Sequence, residues 1–172
     1  MQTEFFMRMK PPTATQQEKQ VRISGNGKRQ YYDTDQLKAA RLKLTGHLAK
    51  HVPAAKYTKA VRLITKWCFP LAGKHYDGEY RATRPDTDNL QKMLKDCMTT
   101  LGYWTDDCLV ASEIIEKFWA ARPGIYICIE ELGGMNCWHC AEYDPDGYWC
   151  EKHNIPKLPE EDCIEGSGDD GK

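Results

Sequence analysis

Residues 84–107 read RPDTDNLQKMLKDCMTTLGYWTDD, and how this stretch is read decides the fold. Leu90, Leu94, Cys97 and Leu101 recur at steps of four, three and four, which puts them on one face of a helix running from about Asp88 to Leu101. Gly102 stops it. Asp88 suits the N-cap, with Gln91 three residues later completing a capping box and Lys92 one turn on as an ion-pair partner. That account leaves Asp86 unexplained. Its carboxylate lies two residues before Asp88, and two carboxylates converging on a helix start repel each other unless a cation lies between them. A short turn after the helix could bring Asp106 and Asp107 back beside the first pair. Such a group of oxygens suits a hard divalent ion such as Mg²⁺, which takes a few carboxylates and retains water. Spacing alone leaves a capped helix and a metal site equally open.

Strand patterns surround this helix. EFFMRMK near the N-terminus alternates until Pro11 and Pro12 end it, and VRISGNGKRQYY reads as a hairpin about Gly25-Asn26-Gly27. Leu37, Ala40, Leu44 and Leu48 mark a second helix between about Asp33 and His51. KAVRLITKWCF is rich in β-branched and aromatic residues and predicts a strand, with a polar loop from Ala72 to Thr83 after it. CLVASEIIEKFWA and GIYICIEEL predict two more strands, joined as a hairpin at Arg122-Pro123-Gly124. The fold class is α+β: a mixed or antiparallel sheet packed with two main helices over residues 1–132, then a small Cys-rich module over 133–165 and a disordered terminus over 166–172.

The chain has 172 residues, 41% of them hydrophobic, enough for one ordinary core and an appendage. No run approaches a membrane span and the start lacks the apolar stretch of a signal peptide, so the expectation is a soluble, intracellular protein with no membrane partner, in the cytoplasm of a bacterial or phage-infected cell. The net charge of −1 conceals a division: residues 1–132 carry 21 basic and 15 acidic side chains, residues 133–172 carry 3 and 10. The body can face a polyanion that the tail would repel.

Within the body, RPDTDNLQK followed by GYWTDD resembles the signature of RusA-like Holliday junction resolvases, small homodimeric endonucleases that cut four-way DNA junctions. The family pattern is an acidic residue, a spacer, Asp-Asn-Leu, a lysine, a helix and a closing Asp-Asp pair before a strand. The match is specific in Arg84–Val110, and the order of strands and helices extends it over most of residues 1–132. The resemblance implies that Asp86, Asp88 and Asp107 are Mg²⁺ ligands and that Lys92 is the catalytic lysine; together these four form the catalytic set. It also implies phosphodiester hydrolysis by in-line attack of a metal-activated water, in DNA recombination or repair. Asn89 would orient the turn, and Asp96 would be a solvated helix residue.

Phosphate contacts in the body are expected from Lys28 and Arg29 in the first hairpin, Lys74 and Arg81 near the acidic segment, and Arg84 next to the ligands, with Lys56, Lys59 and Arg62 as further candidates. Tyr31, Tyr32, Tyr103 and Trp104 are candidates to stack on bases at a junction centre, or else core residues. Four-way junctions have approximate two-fold symmetry, so paired cuts call for a homodimer.

The tail, MNCWHCAEYDPDGYWCEKHN, pairs Cys137 and Cys140 with Cys150 and His153 at spacings that suit tetrahedral Zn²⁺. Cys163 competes with His153 for the fourth place. The acidic PEEDC approach to Cys163 resembles small phage and bacterial zinc tails and favours the set Cys137, Cys140, Cys150 and Cys163, with His153 as the alternative. Cys68, Cys97, Cys108 and Cys128 are expected to be small buried hydrophobes. A reading from another class is a non-catalytic zinc-containing DNA-binding protein whose aspartates are only caps and turns.

Overall fold

The computed structural model describes residues 1–14, 20–23, 29–133, 143–144, 149–150 and 155–156, of which 20–23, 29–31 and the pairs beyond 133 are described by backbone alone. The chain divides into two compact units, Met1–Glu131 and Leu132–Lys172. In the first unit the described elements are β1 (Gln2–Arg8), β2 (Gln20–Ile23), β3 (Arg29–Tyr32), α1 (Asp35–Leu48), β4 (Val61–Pro70), α2 (Thr87–Leu101), β5 (Val110–Ala120) and β6 (Gly124–Glu131). In the second, β7 (Tyr143–Asp144), β8 (Trp149–Cys150) and β9 (Ile155–Pro156) pair as a small antiparallel sheet. The structure is α+β, as expected.

The main sheet has the order β1-β6-β4-β5, and β2 pairs with β3 as a separate ribbon. Its centre is β4, whose alternate residues Val61, Leu63, Thr65, Trp67 and Phe69 are all buried. Ile125, Ile127 and Ile129 of β6 face the same way. Against this face pack Leu37, Leu44 and Leu48 of α1 and Leu90, Met93, Leu94, Cys97 and Met98 of α2, in one continuous core. Both helices thus lie on one side of the sheet, as the alternation of burial along β4 requires.

One pairing departs from the expectation. β5 and β6 are consecutive, yet they are not neighbours: β4 lies between them, parallel to β5 and antiparallel to β6. The physical reason is burial. β4 buries every second residue along its whole length and takes an interior place, whereas β5 carries Glu113, Glu116 and Lys117, which an edge can solvate. A parallel pair needs a crossover, and α2 supplies it. Residues 121–123 therefore cross the end of β4 instead of forming a hairpin.

Gly124 shows how closely β6 approaches β1. A Cβ there would stand 2.6 Å from the Met7 carbonyl oxygen and would overlap the Phe6 ring. Across the core, the Tyr57 hydroxyl donates to the Ile129 carbonyl at 3.2 Å and shares a hydrogen bond with the Thr3 hydroxyl at 2.8 Å. Cys97 and Cys128 are buried as expected, but Cys108 is exposed, because it lies in a 3₁₀ turn, Asp107–Leu109, and not in the strand. Among the described residues no helix is long and apolar enough to cross a membrane.

Candidate active site

The acidic segment leads into α2 through a turn pinned from below. At the far end of β5, the backbone N–H of Arg81 donates to the Lys117 carbonyl at 2.9 Å and that of Trp119 to the Glu79 carbonyl at 2.8 Å, so residues 79–81 run along the free edge of β5. Lys117 Nζ then donates to the carbonyls of Thr83 (3.0 Å) and Pro85 (2.8 Å). Arg81 donates to the Arg84 carbonyl at 2.6 Å and to Thr83 Oγ1 at 2.9 Å. Its guanidinium lies 3.9 Å from the Phe69 ring centroid and 4.6 Å from that of Trp119. Arg81 is therefore a half-buried tether, and its geometry does not suit the freely presented phosphate contact expected from sequence.

The N-cap of the helix lies two residues earlier than expected. Asp86, not Asp88, is the N-cap; its backbone is extended, its carbonyl accepts from the Leu90 N–H at 3.2 Å, and its carboxylate makes no capping bond. No capping box forms, because Gln91 points into the core: it is 1% exposed, and its Oε1 accepts from the Thr65 hydroxyl at 3.0 Å. The carboxylates of Asp86 and Asp88 are both exposed. Asn89, buried, donates to Asp88 Oδ1 at 3.3 Å. Lys92 is exposed one turn further on and makes no ion pair among the described residues, so the Asp88–Lys92 pair is not formed. Asp96 is not merely solvated, since Arg41 of α1 reaches it at 3.6 Å. Two carboxylates and an ammonium, none of them in an ion pair among the described residues, thus stand in the first turns of α2, whose positive dipole end favours the anionic side chains there.

Asp107 lies elsewhere in the protomer. Lys117 touches the approach to α2, while Lys95 in its third turn pairs with Glu113 at 2.6 Å, so α2 runs antiparallel to β5. Asp107 precedes β5 and so belongs with the C-terminal end of α2. The 15 residues of α2 put about 22 Å between its two ends. The turn expected to fold Asp107 back beside Asp86 and Asp88 is thus not made within one chain. Among the described residues no three His, Cys, Asp or Glu side chains are arranged to hold a metal ion. Asp106 acts locally as the cap of the 3₁₀ turn, its Oδ1 accepting from the Cys108 N–H at 2.8 Å, and that bond lowers its pKa.

Residues 10–130 match the family model described as endodeoxyribonuclease RusA. The chain belongs to the RusA endodeoxyribonuclease family. The crossover junction endodeoxyribonuclease RusA of Lactococcus phage r1t is 33% identical over 109 residues, which cover 62% of this chain and 81% of that protein. The matched region ends before the Cys-rich tail, as the resemblance read from sequence had it.

Other candidates of this RusA-family chain fall on both sides of expectation. Arg84, two residues before Asp86, and Lys74, in the loop after β4, are both exposed. Tyr103 and Trp104 are core residues: both are buried, Tyr103 donating to the Leu48 carbonyl at 2.8 Å and Trp104 Nε1 to Thr99 Oγ1 at 2.7 Å. Lys28 and the side chains of Arg29 and Tyr31 lie outside the described residues, as do the side chains of Cys137, Cys140, Cys150, His153 and Cys163. Exposed aromatics occur instead in the 72–82 loop, where Tyr76 and Tyr80 are 69% and 67% exposed. Sequence offered no signal for these two beyond the loop's polarity. Nor did it mark Lys117, a lone cation within the apolar pattern of IIEKFWA.

Proposed function

We propose that the chain is a Mg²⁺-dependent, structure-selective endodeoxyribonuclease that resolves Holliday junctions by paired phosphodiester hydrolysis, in DNA recombination or repair. The observation that carries this is the state of Asp86 and Asp88: exposed carboxylates at a helix N-terminus that neither cap the helix nor pair with Lys92. A caps-and-turns role, as a non-catalytic zinc-containing DNA binder would have, accounts for the carboxylate of Asp106, which makes a capping bond, whereas that of the N-cap Asp86 makes none. The name of the phage relative supports the junction as substrate.

Two carboxylates fit Mg²⁺, which is held by one or two of them and keeps several waters. When bound, the ion supplies an acidified water and offsets charge on the phosphate oxygens. The protein's own groups do the rest. Asp86 and Asp88 would hold the ion at the start of α2; Lys92, which has no ion-pair partner among the described residues, would place its ammonium against the charge that grows on the scissile phosphate; Arg84 would fix the strand through a phosphate contact. Asp107 would act in a homodimer, with Asp107 of the partner subunit completing the pair Asp86 and Asp88. The separation of the two ends of α2 supports this, and two such composite sites would match the two-fold symmetry of a junction. The same reading keeps a structural Zn²⁺ in the tail, resting on the spacing of Cys137, Cys140, Cys150 and Cys163 or His153, and a cytoplasmic place of action.

The test is a synthetic four-way junction incubated with the protein and Mg²⁺. Symmetric nicks that disappear with EDTA, and an Asp88→Asn variant that still binds the junction but cuts at least about a hundredfold more slowly, are expected. Undiminished cutting by Asp88→Asn removes the assignment, and a gel shift without cleavage by the native protein removes the enzyme.

A further inference from the structure

The turn that presents Asp86 is held by an unusual pair of groups. Thr83, Arg84 and Pro85 are consecutive, and all three carbonyls accept from a side-chain cation: Lys117 takes the first and third, Arg81 the second. No capping bond fixes Asp86 from its own side chain. Where that carboxylate sits is set by the backbone immediately before it. Both cations are in turn fixed to the sheet: Arg81 lies over Phe69 of β4 and Trp119 of β5, and Lys117 belongs to β5 itself.

The arrangement is electrostatically costly. Burial lowers the pKa of the Lys117 ammonium, the neighbouring Arg81 lowers it further, and only Asp86 acts in the opposite sense. Burial also lowers that of Arg81. Neutral donors could hold an ordinary turn without bringing two like charges together. Two cations are suited to a turn that must present a carboxylate, because their bonds to three consecutive carbonyls fix the backbone just before Asp86 before any ion arrives.

We propose that Lys117 and Arg81 are positioning residues for the divalent-ion site, holding the Thr83–Pro85 backbone so that Asp86 and Asp88 are presented together. Neither touches the reacting phosphate; they act through the aspartates. The inference rests on the nuclease reading above, in which those aspartates bind Mg²⁺.

The experiment compares the full-length native protein with Lys117→Met and Lys117→Arg. Junction cleavage is followed as a function of Mg²⁺ concentration, Mn²⁺ binding is read directly by electron paramagnetic resonance, and junction binding is measured in EDTA. For Lys117→Met the half-saturating Mg²⁺ and the Mn²⁺ dissociation constant should rise about tenfold, equivalent to about 1.4 kcal/mol. Cleavage at saturating Mg²⁺ should recover to within about threefold, and metal-free junction binding should stay within about twofold. Lys117→Arg, which keeps charge and donors, should restore most of the metal affinity. If Lys117→Met does not fold, Arg81→Lys, which keeps the charge but loses the fork, should show the same weakened Mn²⁺ binding. Unchanged metal affinity in a folded Lys117→Met or Arg81→Lys protein overturns the inference while leaving the nuclease reading intact. A native protein that cuts no junction at any Mg²⁺ concentration overturns both.

Discussion

Replacing Thr65 by valine removes one oxygen from the centre of the sheet, where that oxygen serves two neighbours. Thr65 is fully buried; its hydroxyl donates to Gln91 Oε1 at 3.0 Å and accepts from Trp67 Nε1 at 3.3 Å. Gln91 Nε2 is buried and has no partner among the described residues, so the amide depends on the Thr65 hydroxyl. Valine has nearly the same shape and leaves two buried groups unpaired, the Gln91 carbonyl oxygen and the Trp67 N–H. At roughly 1–3 kcal/mol for each orphaned group, Thr65→Val should cost about 3 kcal/mol and lower the melting temperature by on the order of 10 °C. Urea unfolding of the native and variant proteins measures the loss. Gln91→Met removes the orphaned amide along with its bond and should change stability by less than about 1 kcal/mol. The double variant should be more stable than Thr65→Val alone, since only Trp67 is then left without a partner. A loss below about 0.5 kcal/mol for Thr65→Val, or a double variant no better than it, refutes this account of the core.

Tyr103→Phe should cost about 1–2 kcal/mol, because it leaves the Leu48 carbonyl without its buried donor; thermal melts check this, and junction affinity should not change, since the ring lies in the core. The Asp106 carboxyl should titrate below its ordinary value of 3.8, because the Cys108 N–H binds its ionised form. A depressed folded-state pKa contributes stability that is present above the unfolded value and is lost as the pH falls through the folded one. Loosening of the 107–109 turn should therefore appear only below about pH 3.8, as a carboxyl-carbon NMR titration would show, and an Asp106 midpoint at or above that value would contradict the bond.

The periodicity of α2 was legible because its apolar stripe is local: Leu90, Leu94 and Cys97 are buried as their spacing requires. Its beginning was not. Asp88 and Gln91 have the capping-box spacing, but Thr65, 26 residues away, offered Gln91 a buried partner, and a tertiary bond outweighed a local one. The pairing of β5 with β4 escaped for the same kind of reason, since the short Arg122-Pro123-Gly124 link looks like a hairpin unless the greater burial of β4 is known. The site was half legible. Asp86, Asp88 and Lys92 share one helical start, which spacing can show. The place of Asp107 depends on the direction of α2 against β5, and the tethering of Arg81 depends on Phe69 and Trp119, neither of which is near it in sequence.

Gly124 has a consequence for how the chain finds its sheet. Because its missing Cβ leaves room for the Phe6 ring and the Met7 carbonyl, it works as a notch that accepts one alignment of β1 against β6. A slip by one residue would present Ile125 to the same ring and also turn every side chain of β1 to the opposite face. A single hydrogen atom in place of a methyl group thus proofreads the edge strand as it docks, and any larger residue at this position would be rejected by the assembled sheet even though nothing in the active site had changed.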